Sequence, residues 1–171
     1  MCHLSLNWIS ILENVLSGVF LAGLLFFLEE NVFSIPDLSG MWTFVSTTDE
    51  TGYKKYEGMK LTFIALLWCE GNKVYGTVEK VSEVLNGVNR RYKPEARIHL
   101  KVNGKITRNI FSKNEAILHF EEKGLKRESS TEQKLIINGN EYMSGLFEST
   151  VANSKGKVQW SKGDSGNKFS A

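Results

Sequence analysis

From Asn14 to Leu28 the chain reads NVLSGVFLAGLLFFL, fifteen residues without a charge. As a helix this run covers roughly 22 Å, short of the ~30 Å hydrocarbon core of a bilayer. Extended back to Leu4 it crosses comfortably, with Glu13 as its single charge. A cleaved signal peptide is the rival reading. It calls for a basic segment ahead of the apolar run and a small-x-small cleavage site after it, and neither is evident. We therefore expect residues 1–35 to be a retained membrane anchor with its junction, residues 36–162 to be a folded domain, and residues 163–171 to be a polar tail. Neither flank of the anchor carries Lys or Arg, so charge asymmetry does not orient it.

The polar residues of the anchor are ordered. Asn7, Ser10, Asn14 and Ser17 recur at steps of three, four and three, which lines them along one helix face. Gly18 and Ala22 continue the row above Asn14 as a small-xxx-small pair. Small and hydrogen-bonding residues are where membrane helices pack, so Asn14, Ser17, Gly18 and Ala22 are candidate residues for association between anchors.

Beyond the anchor the pattern changes to period two. Pro36 stops the helix, and Gly40 precedes the first strand. Met59, Leu61, Phe63, Ala65 and Leu67 alternate with Lys60 and Thr62, and Glu70-Gly71-Asn72 then turns the chain into a strand at about 73–81. Ala96, Ile98, Leu100 and Val102 alternate with basic residues up to Asn103-Gly104, a pair that between strands signals a tight hairpin. Further strands are expected at about 105–111, 115–121, 133–138, 141–150 and 157–162, with turns at Asn138-Gly139-Asn140 and Asn153–Gly156. Residues 81–93 read as one long connection. Eight or nine short strands without an amphipathic helix predict an all-β domain, an eight-stranded antiparallel barrel of the lipocalin or calycin type. An open sandwich is the alternative. The faces are ambiguous: Tyr75, Thr77 and Glu79 alternate with Val74, Gly76 and Val78, and Tyr142, Ser144 and Glu148 with Met143, Gly145 and Phe147.

All 21 basic residues lie beyond residue 53, and 16 of the 19 acidic residues lie beyond Glu30, which gives that part a formal charge of +5. The excess favours an anionic partner weakly, and most of it reads as solvated surface. Cys2 and Cys69 stand in contexts that do not suggest a disulfide. Gly163-Asp-Ser-Gly166 matches the surroundings of a serine-protease nucleophile, but in a polar tail of a chain too short for such an enzyme. His3, His99 and His119 lack metal-ligand spacing, and no phosphate loop or nucleophile elbow is present. Glu79 and Glu148 invite no assignment as an acid and base pair. The chain reads as a binding protein, not an enzyme, with no catalytic residue, metal or cofactor called for.

Gly40-x-Trp42 at the start of the first strand resembles the lipocalin signature, in which the Trp closes the barrel base. The whole plan resembles a family of bacterial anti-phage effectors, the membrane-spanning β-barrel proteins of cyclic-oligonucleotide (CBASS) defence, or SMODS-associated two-transmembrane β-strand-rich effectors, among the CD-NTase-associated proteins. The likeness is carried by the anchor ending at Glu29-Glu30, the junction Ile35-Pro-Asp-Leu-Ser-Gly-Met-Trp42, and the late strands Met143-Ser-Gly-Leu-Phe-Glu-Ser-Thr150 and Gly156-Lys-Val-Gln-Trp160. The family name implies two membrane helices, whereas one apolar run is present here. The resemblance implies a barrel that senses a cyclic dinucleotide, homo-oligomers formed on activation, and anchors that breach the inner membrane and kill the infected cell. It implies no polymeric nucleic acid as partner, and a barrel on the cytoplasmic side. Phosphates call for Arg or Lys and bases for aromatic faces, which makes Tyr75, Arg97, Arg108, Tyr142 and Trp160 the candidate ligand contacts. The runner-up function is a membrane-tethered, lipocalin-like carrier of a small apolar molecule, and a third is an anchored envelope protein with a structural or partner-binding role.

Overall fold

The computed structural model describes residues 8–28, 35–109, 112–123 and 128–163. The chain divides into two compact units, residues 1–34 and 35–171. The expectations for Asn7, Glu29-Glu30 and the tail from residue 164 lie outside the described residues.

The first unit contains helix α1 (Trp8–Phe27), whose 20 residues bury no side chain within the chain. At 1.5 Å per residue it is about 30 Å long, the thickness of a bilayer's hydrocarbon core. It is long and apolar enough to cross a membrane. Ser10, Asn14 and Ser17 share a face of this helix, as their spacing requires, and a Cβ at Gly18 would meet nothing within 4 Å.

The second unit is a closed barrel. Its strands are β1 (Gly40–Glu50), β2 (Lys60–Glu70), β3 (Lys73–Leu85), β4 (Val88–Arg91), β5 (His99–Thr107), β6 (Glu115–Lys123), β7 (Glu128–Asn138), β8 (Tyr142–Ser149) and β9 (Ser154–Lys162). Eight of them pair antiparallel in the ring β1-β2-β3-β5-β6-β7-β8-β9, and β9 returns to β1. Closure leaves no ladder edge within the ring, so a meander of short strands does not expose unpaired backbone. The ninth strand, β4, extends β3 as a hairpin, with Leu85 opposite Val88. It occupies the stretch expected to be a connection: Asn86 and Gly87 both adopt positive φ, 50° and 78°, and supply the tight turn.

One expected turn is absent. Asn103-Gly104 lies inside β5, where Asn103 pairs with Tyr75 and Gly104 with Val74 on one side, and with His119 and Leu118 on the other. Gly104 is there because the strands approach closely: an added Cβ would run into the Ile117 carbonyl and come within 2.8 Å of the Leu118 side chain. The expected break between strands at 96–102 and 105–111 is therefore one continuous strand. Gly156, expected in a turn, is likewise inside β9, and the chain reverses instead through Val151–Asn153 with Ala152 and Asn153 at positive φ.

The structure resolves the ambiguous faces. Val74, Val78, Met143 and Phe147 point into the barrel and are buried, whereas Tyr142 on the opposite face is 53% exposed. The core is densest at the end where β1 begins. Leu38 and Trp42 are fully buried there, with Leu67, Val74, Ile106, Ala116, Ile137 and Met143 around them. The junction folds across this end. The Trp42 indole N–H donates to the Leu38 carbonyl at 2.8 Å, and the Cys69 N–H donates to the Ser39 hydroxyl at 3.1 Å. Lys162 lies 5.6 Å from the centre of the Trp42 ring, a cation over the plug. This end is sealed.

Candidate functional site: the open end of the barrel

Halfway along the barrel the filling changes from branched aliphatic to aromatic side chains. Phe44 stacks on Trp160 at 4.0 Å between ring centres and on Phe63 at 4.6 Å, and Phe120 leans against Phe44 at 5.8 Å. The Trp160 indole N–H is satisfied by the Gln133 side-chain oxygen at 2.9 Å. Above this layer the barrel is hollow, with a cavity of about 830 Å³. Phe44, Phe63 and Phe120 form its floor, and Leu61, Leu100 and Phe147 belong to its lower wall. Nearer the mouth the lining turns polar, with Ser46, Thr48, Ser129, Thr131 and Ser149.

Two of the loops at the rim are tied together. The β1–β2 connection carries Tyr53, Lys55 and Tyr56, and the β8–β9 connection carries Val151 and Ala152. The Gly52 N–H and the Thr51 hydroxyl both donate to the Ala152 carbonyl, at 2.7 and 3.2 Å. Tyr53 and Tyr56 meet edge to face at 6.3 Å, and the Lys55 ammonium lies over the Tyr56 ring at 4.9 Å.

Among the described residues, four charged groups line the cavity: Lys55, Lys80, Glu83 and Glu122. Two of them form an ion pair, Lys80 Nζ to Glu83 Oε2 at 2.8 Å. In a regular strand, residues three apart face opposite sides. They share a side here because Val81 is an extra residue: Phe63 pairs with Lys80 and Thr62 with Ser82, so β3 bulges between them. The bulge is pinned by the Tyr92 N–H, which donates to the Val81 carbonyl at 2.9 Å, and the Tyr92 ring lies 5.1 Å from Lys80 Nζ. Arg90 on β4 stands 3.7 Å from the other Glu83 oxygen. The hydrogen bond from Lys80 holds the Glu83 carboxyl below the usual carboxylate range against the opposing effect of burial, with Tyr92 and the charges of Lys80 and Arg90 adding to it.

The five ligand contacts expected from sequence are not brought together. Tyr75 stacks on Trp68 at 6.3 Å on the outer face of the barrel. Tyr142 is exposed on β8. Arg97, in the connection before β5, donates to Glu79 at 2.9 Å, and its Nε is buried without a hydrogen-bond partner among the described residues. Arg108 is exposed just beyond β5. Trp160 is buried beneath the cavity as the support of its aromatic floor. Of the outer carboxylates, Glu79 serves Arg97 and Glu148 serves Lys155, each in its own ion pair. Among the described residues no group of three or more His, Cys, Asp or Glu side chains converges in a way that would hold a metal.

The fold is a closed up-and-down barrel with one plugged and one hollow end, and the hollow end is its candidate site. Set against known proteins, the chain matches no protein-family model, and no curated protein matches it significantly.

Proposed function

We propose that the chain is a membrane-tethered receptor of antiviral defence, whose barrel takes a cyclic dinucleotide into its open end. The observation that carries this reading is the composition of the cavity: an aromatic floor with a cationic side chain on its wall and another at its rim. Bases stack on aromatic faces, and phosphates are recognised by Lys as a point charge. The volume of about 830 Å³ is within the ~300–1,000 Å³ typical of small-molecule sites. In this reading the barrel faces the cytoplasm, α1 crosses the inner membrane, and ligand binding promotes homo-oligomers that breach the bilayer. Asn14, Ser17, Gly18 and Ala22 then lie where the assembled helices meet, since interhelical hydrogen bonds contribute roughly 0.6–2 kcal/mol each in membranes. The apolar floor also favours a second reading, a tethered carrier of an apolar molecule, in which Phe44, Phe63 and Phe120 contact a hydrocarbon chain.

Calorimetry on the full chain in lipid nanodiscs, titrated with cyclic di-AMP, cyclic di-GMP and palmitate, separates the two. We expect heat from a cyclic dinucleotide; binding of palmitate alone gives the case to the carrier. Leu substitutions at Asn14 and Gly18 keep the helix apolar and inserted. They are expected to reduce dye leakage from cells supplied with the ligand, and equal leakage from the double variant and the wild type would reduce α1 to a tether.

A further inference from the structure

We infer that Lys80 is the anion-binding group of the cavity and that Glu83 occupies it in the empty protein, so that a phosphate-bearing ligand enters by displacing the Glu83 carboxylate. The inference rests on the reading of the cavity as a site for a phosphorylated ligand, and it adds how that site is held before the ligand arrives.

Among the described residues the cavity lining carries two ammonium groups, Lys55 and Lys80, and two carboxylates, Glu83 and Glu122. Lys80 is already engaged by the Glu83 carboxylate at 2.8 Å, so an anion that takes Lys80 competes with that carboxylate. Lys80 is the better placed of the two. Its side chain is 16% exposed, and it extends from β3, a strand of the ring, above Phe63. Lys55 extends from an exposed rim turn. An ammonium has three donors, and the bond to Glu83 uses one. The Tyr92 ring beside it holds positive charge in place whichever anion is its partner.

Glu83 is built to leave. Arg90 already lies 3.7 Å from its other oxygen, so a carboxylate that yields Lys80 keeps a cationic neighbour and does not become an isolated buried charge. The pair lies on β3 where that strand is still paired with β2, and Arg90 lies on β4, which pairs with β3 alone. Exchange of Lys80 from Glu83 to a ligand thus changes the contact between the ring and β4, the strand that stands outside it. The bulge at Val81 has a purpose in this scheme, since without it Lys80 and Glu83 would face opposite sides of the strand and the competition could not occur.

The test is calorimetry on the full chain in nanodiscs, comparing wild type, Glu83→Gln and Lys80→Gln with cyclic di-GMP, cyclic di-AMP and inorganic pyrophosphate. Glu83→Gln retains shape and an amide oxygen for Lys80 but removes the competing charge. It should bind the dinucleotide that the wild type binds about tenfold tighter, because a hydrogen bond to a charged group is weighed against one to a neutral group. Lys80→Gln should bind it about tenfold more weakly and lose most of the dependence on KCl concentration. If Glu83→Gln binds a dinucleotide no more tightly than wild type, the displacement scheme is overturned while the receptor reading survives. If pyrophosphate binds, more tightly in Glu83→Gln, and neither dinucleotide does, the anion site stands and the receptor reading falls. Failure of all three probes on every variant overturns both.

Discussion

The two ends of the barrel are made by the same eight strands and divide the work of the domain between them. At the end where β1 begins, inward positions hold Leu38, Trp42, Val74, Ile106, Ala116 and Met143, all 3% exposed or less. At the other, inward positions hold Ser46, Lys80, Glu83, Thr131 and Ser149 around open space. The sealed end obtains its stability by excluding water from apolar groups, and the open end gives that up to keep polar groups and volume available. The aromatic layer of Phe44, Phe120 and Trp160 is where one regime passes to the other. A site placed there is supported from below by a packed core, which fixes its shape before any ligand arrives.

Truncating one aromatic at each end gives the largest contrast. Trp42→Ala removes a fully buried indole, its hydrogen bond to the Leu38 carbonyl and its edge contact with Trp160 at 6.2 Å. It should cost about 3–5 kcal/mol in urea unfolding of the full chain in detergent. Phe63→Ala removes a ring that already borders the cavity and should cost about 1–2 kcal/mol. Equal losses would mean that the open end is as tightly packed as the sealed one, and the division between them would fail.

A smaller contrast comes from two glycines, and it bears on how much of this fold is legible in the sequence. Three Asn-Gly pairs occur, at 86–87, 103–104 and 138–139. Two make hairpins, with Gly87 and Gly139 at φ of 78° and 69°. The middle pair is inside β5, where the need is not a positive φ but the missing Cβ. Local sequence does not distinguish these needs, because what crowds Gly104 is the neighbouring strand β6, more than ten residues further along the chain. Gly104→Ala should therefore cost about 1–3 kcal/mol through overpacking against β6, and Gly87→Ala about 1–2 kcal/mol through backbone strain alone. Thermal unfolding checks both, and only Gly104→Ala should alter side-chain signals from β6. What was legible was the alternation that defines the barrel, the apolar run of α1 and the Trp42 plug. The lumen was not, for the same kind of reason: Lys80 and Glu83 are three residues apart, which on an ideal strand separates them, and nothing near Val81 in the sequence announces a bulge. The tyrosines chosen for stacking, Tyr75 and Tyr142, occupy the outer face because β3 and β8 give their inward positions to Val74, Gly76, Met143 and Gly145.

The smallest expected effect sharpens the comparison at the open end, where a charged pair is kept for a purpose other than stability. Glu83 is held below the usual carboxylate range in the folded chain, first by the hydrogen bond from Lys80. A carboxylate whose folded pKa is depressed adds stability that is complete above its unfolded pKa and is lost as pH falls through the folded one. The wild type should therefore lose a small increment of stability on acidification through the carboxylate range, and Glu83→Gln should lack that increment. Glu83 is 22% exposed and Lys80 16%, so the pair is partly screened and should contribute less than about 1 kcal/mol. Urea midpoints of the two proteins at neutral and at acidic pH measure the difference of differences. A large loss in Glu83→Gln at neutral pH would make the pair a structural strut of the β3–β4 hairpin. A near-neutral substitution would fit a pair that parts easily, as a counter-ion displaced by a ligand must.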